Sequence, residues 1–195
     1  ATCYLFQESM NQPLLFLNQF PELDEAAKKA FLDRLHYDEL DRGIIVQDQG
    51  KICDYMFFVV SGSLRSYYYR DQKDITVSFA LEQEIASAMH SFITRKPSYE
   101  LIETMERSLI ARITYADLIG LFDQFPMIER VYRKILERYY IALEDQITSV
   151  KFKSARDRYL ELLQNRPKII HKAAVGQIAS FLDMSIETLS RIRGK

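Results

Sequence analysis

Six short runs of β-branched and aromatic residues occupy the chain between His36 and Thr114. The runs are GIIVQ, YMFFVV, SLRSYYYR, DITVSFA, YELIETM and SLIARIT, and turn-forming residues, among them Gly43, Gly50 and Gly62, separate them. Strands of this length and spacing are typical of a β-sandwich or a small barrel, because each run can pair with a neighbour across a turn. The sequence therefore predicts a β-rich domain in this part of the chain.

Amphipathic helices flank the β-rich region. Residues 21–35 begin with a proline and carry acidic residues in the first turn, and helical spacing returns after Thr114. Pro126 fits the first turn of a longer helix that reaches about Val150, and Ser154 is a suitable N-cap for another helix that stops at Arg166-Pro167. We therefore divide the chain into an N-terminal domain, a connecting helix and a C-terminal domain, at residues 1–124, 125–150 and 151–195.

The long helix carries an apolar stripe whose members are three and four residues apart. Such a stripe can pack against its own domain and also against the same helix of a second copy. We predict a homodimer joined through this helix; the alternative is that the stripe only covers the domain's own strands. The predicted dimer contacts are Ile128, Val131, Ile135, Tyr139, Ala142 and Gln146, and the stripe is widened by Leu136, Leu143, Ile147 and Val150.

The net charge of −1 conceals an uneven distribution. From Lys151 onward, ten Lys and Arg stand against four Asp and Glu, a charge of +6, whereas the first 150 residues carry 16 basic and 23 acidic residues, a charge of −7. A basic segment favours binding to nucleic acid, because the neutralisation of phosphates supplies much of the affinity. The alternative is a solvated basic face without a partner.

The stretch QIASFLDMSIETLSRIRGK, residues 177–195, has the pattern of a helix-turn-helix. Ala179 is the small residue where two helices can cross, Asp183 stands at a turn that requires positive φ, and Ser185 can cap the second helix. The alternative is an ordinary helical hairpin. The positions predicted to be buried are Ile178, Leu182, Met184, Leu189 and Ile192.

With those positions buried, the rest of the second helix faces outward. Glu187 can accept a hydrogen bond from cytosine, and Arg191 can donate to guanine or to phosphate. Hydroxyl groups suit phosphate contacts, and the helix start that follows Lys172 offers backbone amides to a phosphate. The predicted DNA-binding residues are Lys172, Ser185, Ile186, Glu187, Thr188, Ser190, Arg191 and Lys195.

These residues resemble the helix-turn-helix of the Crp/Fnr family of bacterial transcription regulators. SIETLSR, residues 185–191, is similar to the family's recognition helix S-R-E-T-x-x-R, and residues 42–69 resemble the opening of its β-roll. The resemblance covers residues 20–195 and implies an α+β fold. The expected parts are an N-terminal β-roll (a double-stranded β-helix of the cyclic-nucleotide-binding type), a long dimerisation helix and a C-terminal helix-turn-helix domain. We expect the wing of that winged-helix-like domain to be absent or short, since the sequence stops at Lys195.

The resemblance also implies a function. It predicts a homodimeric, sequence-specific transcription regulator that binds a palindromic site in double-stranded DNA and has RNA polymerase as a further partner. Ile186 replaces the first arginine of the family's recognition helix, so we expect a different operator sequence. The alternative is a ligand-binding or protein-interaction module of the same fold that has lost the DNA function.

The family's cyclic-nucleotide ligands are bound by a Gly-Glu helix start and an Arg-Ser pair, which contact ribose and phosphate. Here Ser87-Ala88 and Pro97-Ser98 stand at those places, so we expect no cyclic AMP binding, and Arg95 and Lys96 are expected to face solvent. Nearby side chains either line a pocket for an unidentified effector or form ordinary core. The candidate pocket residues are Tyr68, Phe79, Ser87, Ala88, Met89, His90 and Ser98.

Cofactors, a metal and an enzymatic activity are not expected. Cys3 and Cys53, interpreted as free thiols, are too few for an iron–sulfur cluster, and a lone histidine such as His36 or His90 is more often structural than a haem ligand. The three histidines, His171 included, are too scattered for a metal site, and the sequence has no Gly-rich phosphate loop or nucleophile elbow. The lack of a signal peptide and of a long apolar run predicts a cytoplasmic protein.

Overall fold

The computed structural model describes residues 12–194. Three expectations therefore lie outside the described residues: the free thiol of Cys3, the lack of an N-terminal signal peptide, and the DNA contact of Lys195.

The β-rich region folds into two four-stranded antiparallel sheets with the orders β1-β8-β3-β6 and β2-β7-β4-β5. All six predicted runs form strands. The polar run HYDEL of β1 gave no strand signal because it lies at a sheet edge with much of its surface in solvent, and β6 is only two residues long. The strands are β1 (His36–Leu40), β2 (Ile45–Gln47), β3 (Tyr55–Ser61), β4 (Ser63–Arg70), β5 (Lys73–Leu81), β6 (Ile85–Ala86), β7 (Leu101–Thr104) and β8 (Ser108–Thr114).

The two sheets enclose the main hydrophobic core. Phe57 and Ile113 from the first sheet and Leu64 and Ile102 from the second are almost fully buried in one cluster. Gly62 makes the sharp connection from β3 to β4, with φ at +91°. A Cβ atom there would lie 2.8 Å from the Cα of Ser108, so this position requires glycine for its backbone angle and for the close approach.

Helices precede, interrupt and follow the strands of the roll. Hydroxyl caps at Thr114, Ser154 and Ser185 confirm three predicted helix starts, since each accepts a hydrogen bond from the backbone amide three residues later. The helices are α1 (Gln12–Leu17), α2 (Glu25–Leu32), α3 (Met89–Thr94), α4 (Tyr115–Gln124), α5 (Pro126–Phe152), α6 (Ala155–Asn165), α7 (Pro167–Lys172), α8 (Val175–Phe181) and α9 (Ile186–Arg193).

The first two turns of α5 belong to the core of the roll. Ile128 and Val131 are each only 4% exposed and pack in the same cluster as the strands. The prediction that these two residues contact a second copy is therefore wrong, because their surface is already used within the protomer. The remainder of the 27-residue helix leaves the core, and most of its side chains from Glu137 to Thr148 are exposed.

The C-terminal helices form a second hydrophobic cluster that includes part of the roll. Phe79 and Leu81 of β5 pack with Ile169, Ile178 and Leu189. The C-terminal helices therefore rest on the outer side of their own β-roll, and this contact forms one wall of the site described next.

Candidate DNA-binding surface and effector cleft

Helices α8 and α9 are joined by a tight turn. Asp183 has a φ of +51°, as predicted for the turn position. The amide of Met184 donates to the carbonyl of Ala179 over 3.0 Å, and the amide of Leu182 donates to the carbonyl of Ile178 over 3.0 Å. These hydrogen bonds satisfy the last carbonyls of α8 and direct the chain into α9.

The apolar positions of this helix pair pack as the sequence predicts. Ile178, Leu182 and Leu189 are buried, and Ala179, with 1% exposure, is the small residue of the contact. Met184 and Ile192 are partly buried and pack against the same cluster. The turn and the apolar offsets together fix which face of α9 is left to solvent.

The outward face of α9 carries the predicted DNA-binding side chains. Thr188 is half-buried, and Ser185 is exposed but already uses its hydroxyl as the cap of the helix. Hydrogen bonds from its own backbone amide and from Ser185 lower the pKa of Glu187, so its carboxylate stays charged. The exposed members of the face are Ser185, Ile186, Glu187, Ser190 and Arg191.

Lys172 does not belong to this face. Its ammonium group bonds the carboxylate of Glu106, which lies between β7 and β8. Two further ion pairs join α7 and the residue before it to the roll: Arg166 with Glu84, and Lys168 with Glu82 over 2.9 Å. Lys168 lowers the pKa of Glu82 through this hydrogen bond. Part of the C-terminal positive charge therefore neutralises the protomer's own acidic residues.

A cleft of about 620 Å³ lies between the roll, α5 and the C-terminal helices. Of the seven predicted pocket residues, only Phe79, Ser87 and Met89 line it. The prediction treated 87–90 as one surface, but α3 begins at Met89 and turns successive side chains to different sides. The other four predicted residues, Tyr68, Ala88, His90 and Ser98, are not among the lining residues.

Ala88, His90 and Ser98 lie in surroundings other than the cleft. Ala88 is buried in the core, and the imidazole of His90 is exposed beside the ring of Tyr99. The buried Ser98 hydroxyl donates to the carbonyl of Glu100 and accepts a hydrogen bond from the amide of Glu100. The prediction that they line the pocket is therefore wrong.

The cleft is also lined by residues that the sequence did not predict as pocket residues. Glu100 precedes β7 and lines the cleft, and so does Leu136 of α5. Four residues predicted as dimer contacts, Ile135, Tyr139, Ala142 and Gln146, also line it. Their helical spacing was visible in the sequence, but only the fold shows that this stripe faces the cleft.

Arg95 has a structural role, which corrects the expectation that it faces solvent. It occupies the left-handed position at the end of α3, with φ at +57°. Its guanidinium donates to the carbonyl of Cys53 over 2.8 Å, pairs with Asp54 and stacks 4.2 Å above the ring of Tyr115. Arg95 is therefore not free to bind a ligand phosphate.

Among residues 12–194, no group of three or more His, Cys, Asp or Glu residues is arranged to hold a metal ion. In the same part of the chain, no helix combines the length and apolar character needed to cross a bilayer.

Part of the chain matches a known domain family. Residues 38–125 match the family model of the cyclic nucleotide-binding domain. The two antiparallel sheets and the long helix that follows confirm the predicted fold class, the β-roll of that domain followed by a long helix.

Solved structures of Crp/Fnr regulators share the fold over most of their length. FixK2 from Bradyrhizobium japonicum superposes with a TM-score of 0.71 at 15% identity, covering 82% of this chain and 83% of that one. A protein from Eubacterium rectale described as a regulator of the Crp/Fnr family gives 0.69 at 22% identity, covering 90% and 85%. The catabolite activator protein of Thermus thermophilus gives 0.58 at 17%, covering 90% and 84%. No curated protein matches the sequence. The predicted resemblance to Crp/Fnr regulators is confirmed in the fold.

Proposed function

We propose that the protein is a sequence-specific, DNA-binding transcription regulator. The observation that carries this proposal is the outward face of α9, where Ile186, Glu187 and Arg191 are exposed on a helix whose opposite side is anchored by Leu189. An exposed helix with a carboxylate and a guanidinium one turn apart suits the major groove, because these groups pair with cytosine and guanine edges. The structural neighbours, which are regulators, support the same interpretation.

A homodimer is part of the proposal. Beyond the core, α5 exposes an apolar stripe in which Tyr140 is 60% and Ile147 is 55% exposed, with Leu143 between them. These residues are three and four positions apart, which suits packing against the same helix of a second copy. A two-fold dimer presents two α9 helices to successive major grooves about 34 Å apart, so the operator is expected to be palindromic. RNA polymerase is the expected further partner.

The cleft is the proposed place of regulation. It borders the roll, α5 and the C-terminal helices, so a ligand bound there contacts the elements whose arrangement positions α9. Such a ligand changes DNA binding only if its affinity differs between two arrangements of these elements.

Selection from a random-sequence pool of double-stranded DNA tests the function. We expect a palindromic sequence to be enriched and Arg191→Ala to abolish the enrichment. Ile186→Arg should shift the selected base at one position of each half-site towards guanine, because arginine donates two hydrogen bonds to guanine. Leu160→Arg adds the same charge on the exposed side of α6 and serves as the matched control.

The result would go against the proposal if no sequence were enriched, or if enrichment survived Arg191→Ala. Either outcome favours the alternative, an interaction module of the same fold. The ion pairs of Arg166, Lys168 and Lys172 are the observation in favour of that alternative, because they occupy charges that would otherwise attract DNA.

The dimer is tested separately by Ile147→Glu, which should give monomers in analytical ultracentrifugation.

A further inference from the structure

Glu100 places a carboxylate in the wall of the cleft. The surrounding wall is largely apolar and includes Met56, Ile85, Met89 and Ile135. The Glu100 backbone bonds Ser98, but within residues 12–194 no group donates a hydrogen bond to its carboxylate. Burial raises the pKa of Glu100, because a charge is poorly solvated among these side chains. A carboxylate in such surroundings is stabilised by any cation or hydrogen-bond donor that enters the cleft.

The basic side chains that line the cleft already have partners. The guanidinium of Arg158 donates to the carbonyls of Leu182 and Asp183 over 2.9 and 3.0 Å. Lys153 pairs with Glu161 over 2.7 Å, and Arg166 pairs with Glu84. These groups stabilise the C-terminal helices and their contact with the roll, so they do not neutralise Glu100.

Tyr139 of α5 lines the same cleft and is close enough to Glu100 to feel its charge. Burial, followed by the negative charge of Glu100, raises the pKa of the Tyr139 phenol, which therefore stays neutral. An aromatic ring attracts cations over its face, and methionine sulfur at Met56 and Met89 offers a polarisable surface to an apolar group. Two further carboxylates line the cleft, those of the exposed Asp145 and of Glu161, of which Glu161 is paired with Lys153.

We infer that the cleft binds a small organic cation, an amine or ammonium compound with an apolar body, whose charged head pairs with Glu100. The apolar body lies against Met56, Met89 and Ile135, and the head lies between Glu100 and Tyr139. Phosphate-bearing ligands are disfavoured, because they would bring negative charge to an unneutralised carboxylate. The control of DNA affinity by this ligand rests on the proposed function. The binding of the ligand to the cleft does not depend on it.

Titration calorimetry with three matched probes tests the inference on the full chain: phenylbutylamine, phenylbutanol and phenylbutanoate. They share one apolar body and differ in the charge of the head. We expect the amine to bind about tenfold or more tightly than the alcohol, with the carboxylate weakest, because a charge-assisted hydrogen bond is lost in the alcohol. Glu100→Gln should weaken the amine by about tenfold and leave the alcohol unchanged.

Glu129→Gln is the control, because it removes the charge of an exposed glutamate on α5 that lies outside the cleft. Circular dichroism should show that both variants keep the fold. Equal affinity for amine and alcohol, a preference for the carboxylate, no binding of the amine, or amine binding that Glu100→Gln leaves intact would each overturn the inference. If the amine binds through Glu100 but no DNA sequence is selected, the inference stands and the proposed function fails.

Discussion

The rings of Phe79 and Phe181 meet edge to face with their centroids 5.2 Å apart. Phe79 lies on β5 and Phe181 is the last residue of α8, so the pair joins the β-roll to the helix that precedes the turn into α9. Beside it, the backbone amide of Thr76 donates to the hydroxyl of Ser180 over 3.1 Å. Together these contacts fix α8 on the outer face of the second sheet.

Phe181→Ala should lower the free energy of unfolding by about 2 kcal/mol, because the ring pair and part of the apolar burial are lost. The expected loss is smaller than for a fully buried phenylalanine, since Phe181 is only partly buried. Urea unfolding followed by circular dichroism measures the change. Leu160→Ala removes an exposed side chain of α6 and should have little effect. Equal losses in the two variants would contradict the role of the ring pair.

Gly62→Ala should destabilise the roll by about 2–4 kcal/mol, because a positive φ and a steric clash are imposed together. The added Cβ would meet the hydroxyl and the backbone of Ser108. Thermal unfolding measures the change. Gly120→Ala is the control, since a Cβ at that position of α4 meets nothing within 4 Å. A Gly62→Ala variant as stable as the control would show that the turn relaxes without cost.

Lys172→Gln and Arg191→Gln should differ in the salt dependence of DNA binding. Each cation bound to a phosphate contributes about one unit to the slope of log affinity against log salt concentration. Arg191 is exposed on α9, whereas Lys172 is paired with Glu106. Arg191→Gln should therefore reduce the slope, and Lys172→Gln should leave it unchanged. Fluorescence anisotropy at several salt concentrations distinguishes the two, and a reduced slope for Lys172→Gln would restore its predicted DNA contact.

Glu100→Gln should raise the midpoint of thermal unfolding at neutral pH, because it removes a charge from a largely apolar wall. Since burial raises the pKa of Glu100 above its ordinary value of 4.5 in the folded protein, the folded state binds this proton more tightly than the unfolded chain. The cost of ionising Glu100 is therefore present at neutral pH and is lost as pH falls through the raised value towards 4.5. The advantage of the variant should shrink over the same range. A constant advantage at every pH would indicate a cause other than charge.

The sequence predicted what depends on local rules. The caps at Ser154 and Ser185 and the positive φ of Asp183 follow from the preferences of single residues at turns and helix ends. The strand runs predicted a β-sandwich or small barrel, and the family resemblance added that it is a β-roll. Apolar helix spacing identified the buried side of α9, because periodicity determines which side of an element is buried.

Other features depend on which distant segments meet. Glu106 and Lys172 are 66 positions apart, and nothing near either residue indicates their pairing. Ile128 looked equivalent to Tyr139 along the helix, but the fold buries the first and places the second in the cleft. Glu100 had no sequence signal, because its significance depends on the apolar side chains that other elements bring around it.

Helix α5 runs unbroken from the core of the roll to the C-terminal helices, through 27 residues. A helix of this length spans about 40 Å, and each residue added to it advances the chain by about 1.5 Å and rotates everything downstream by about 100°. The angular phase of α9 relative to the roll is therefore set by the number of residues in α5. We therefore expect an insertion or deletion of about seven residues in α5 to keep the angular orientation of α9, whereas a single-residue step should turn its outward face by about 100°.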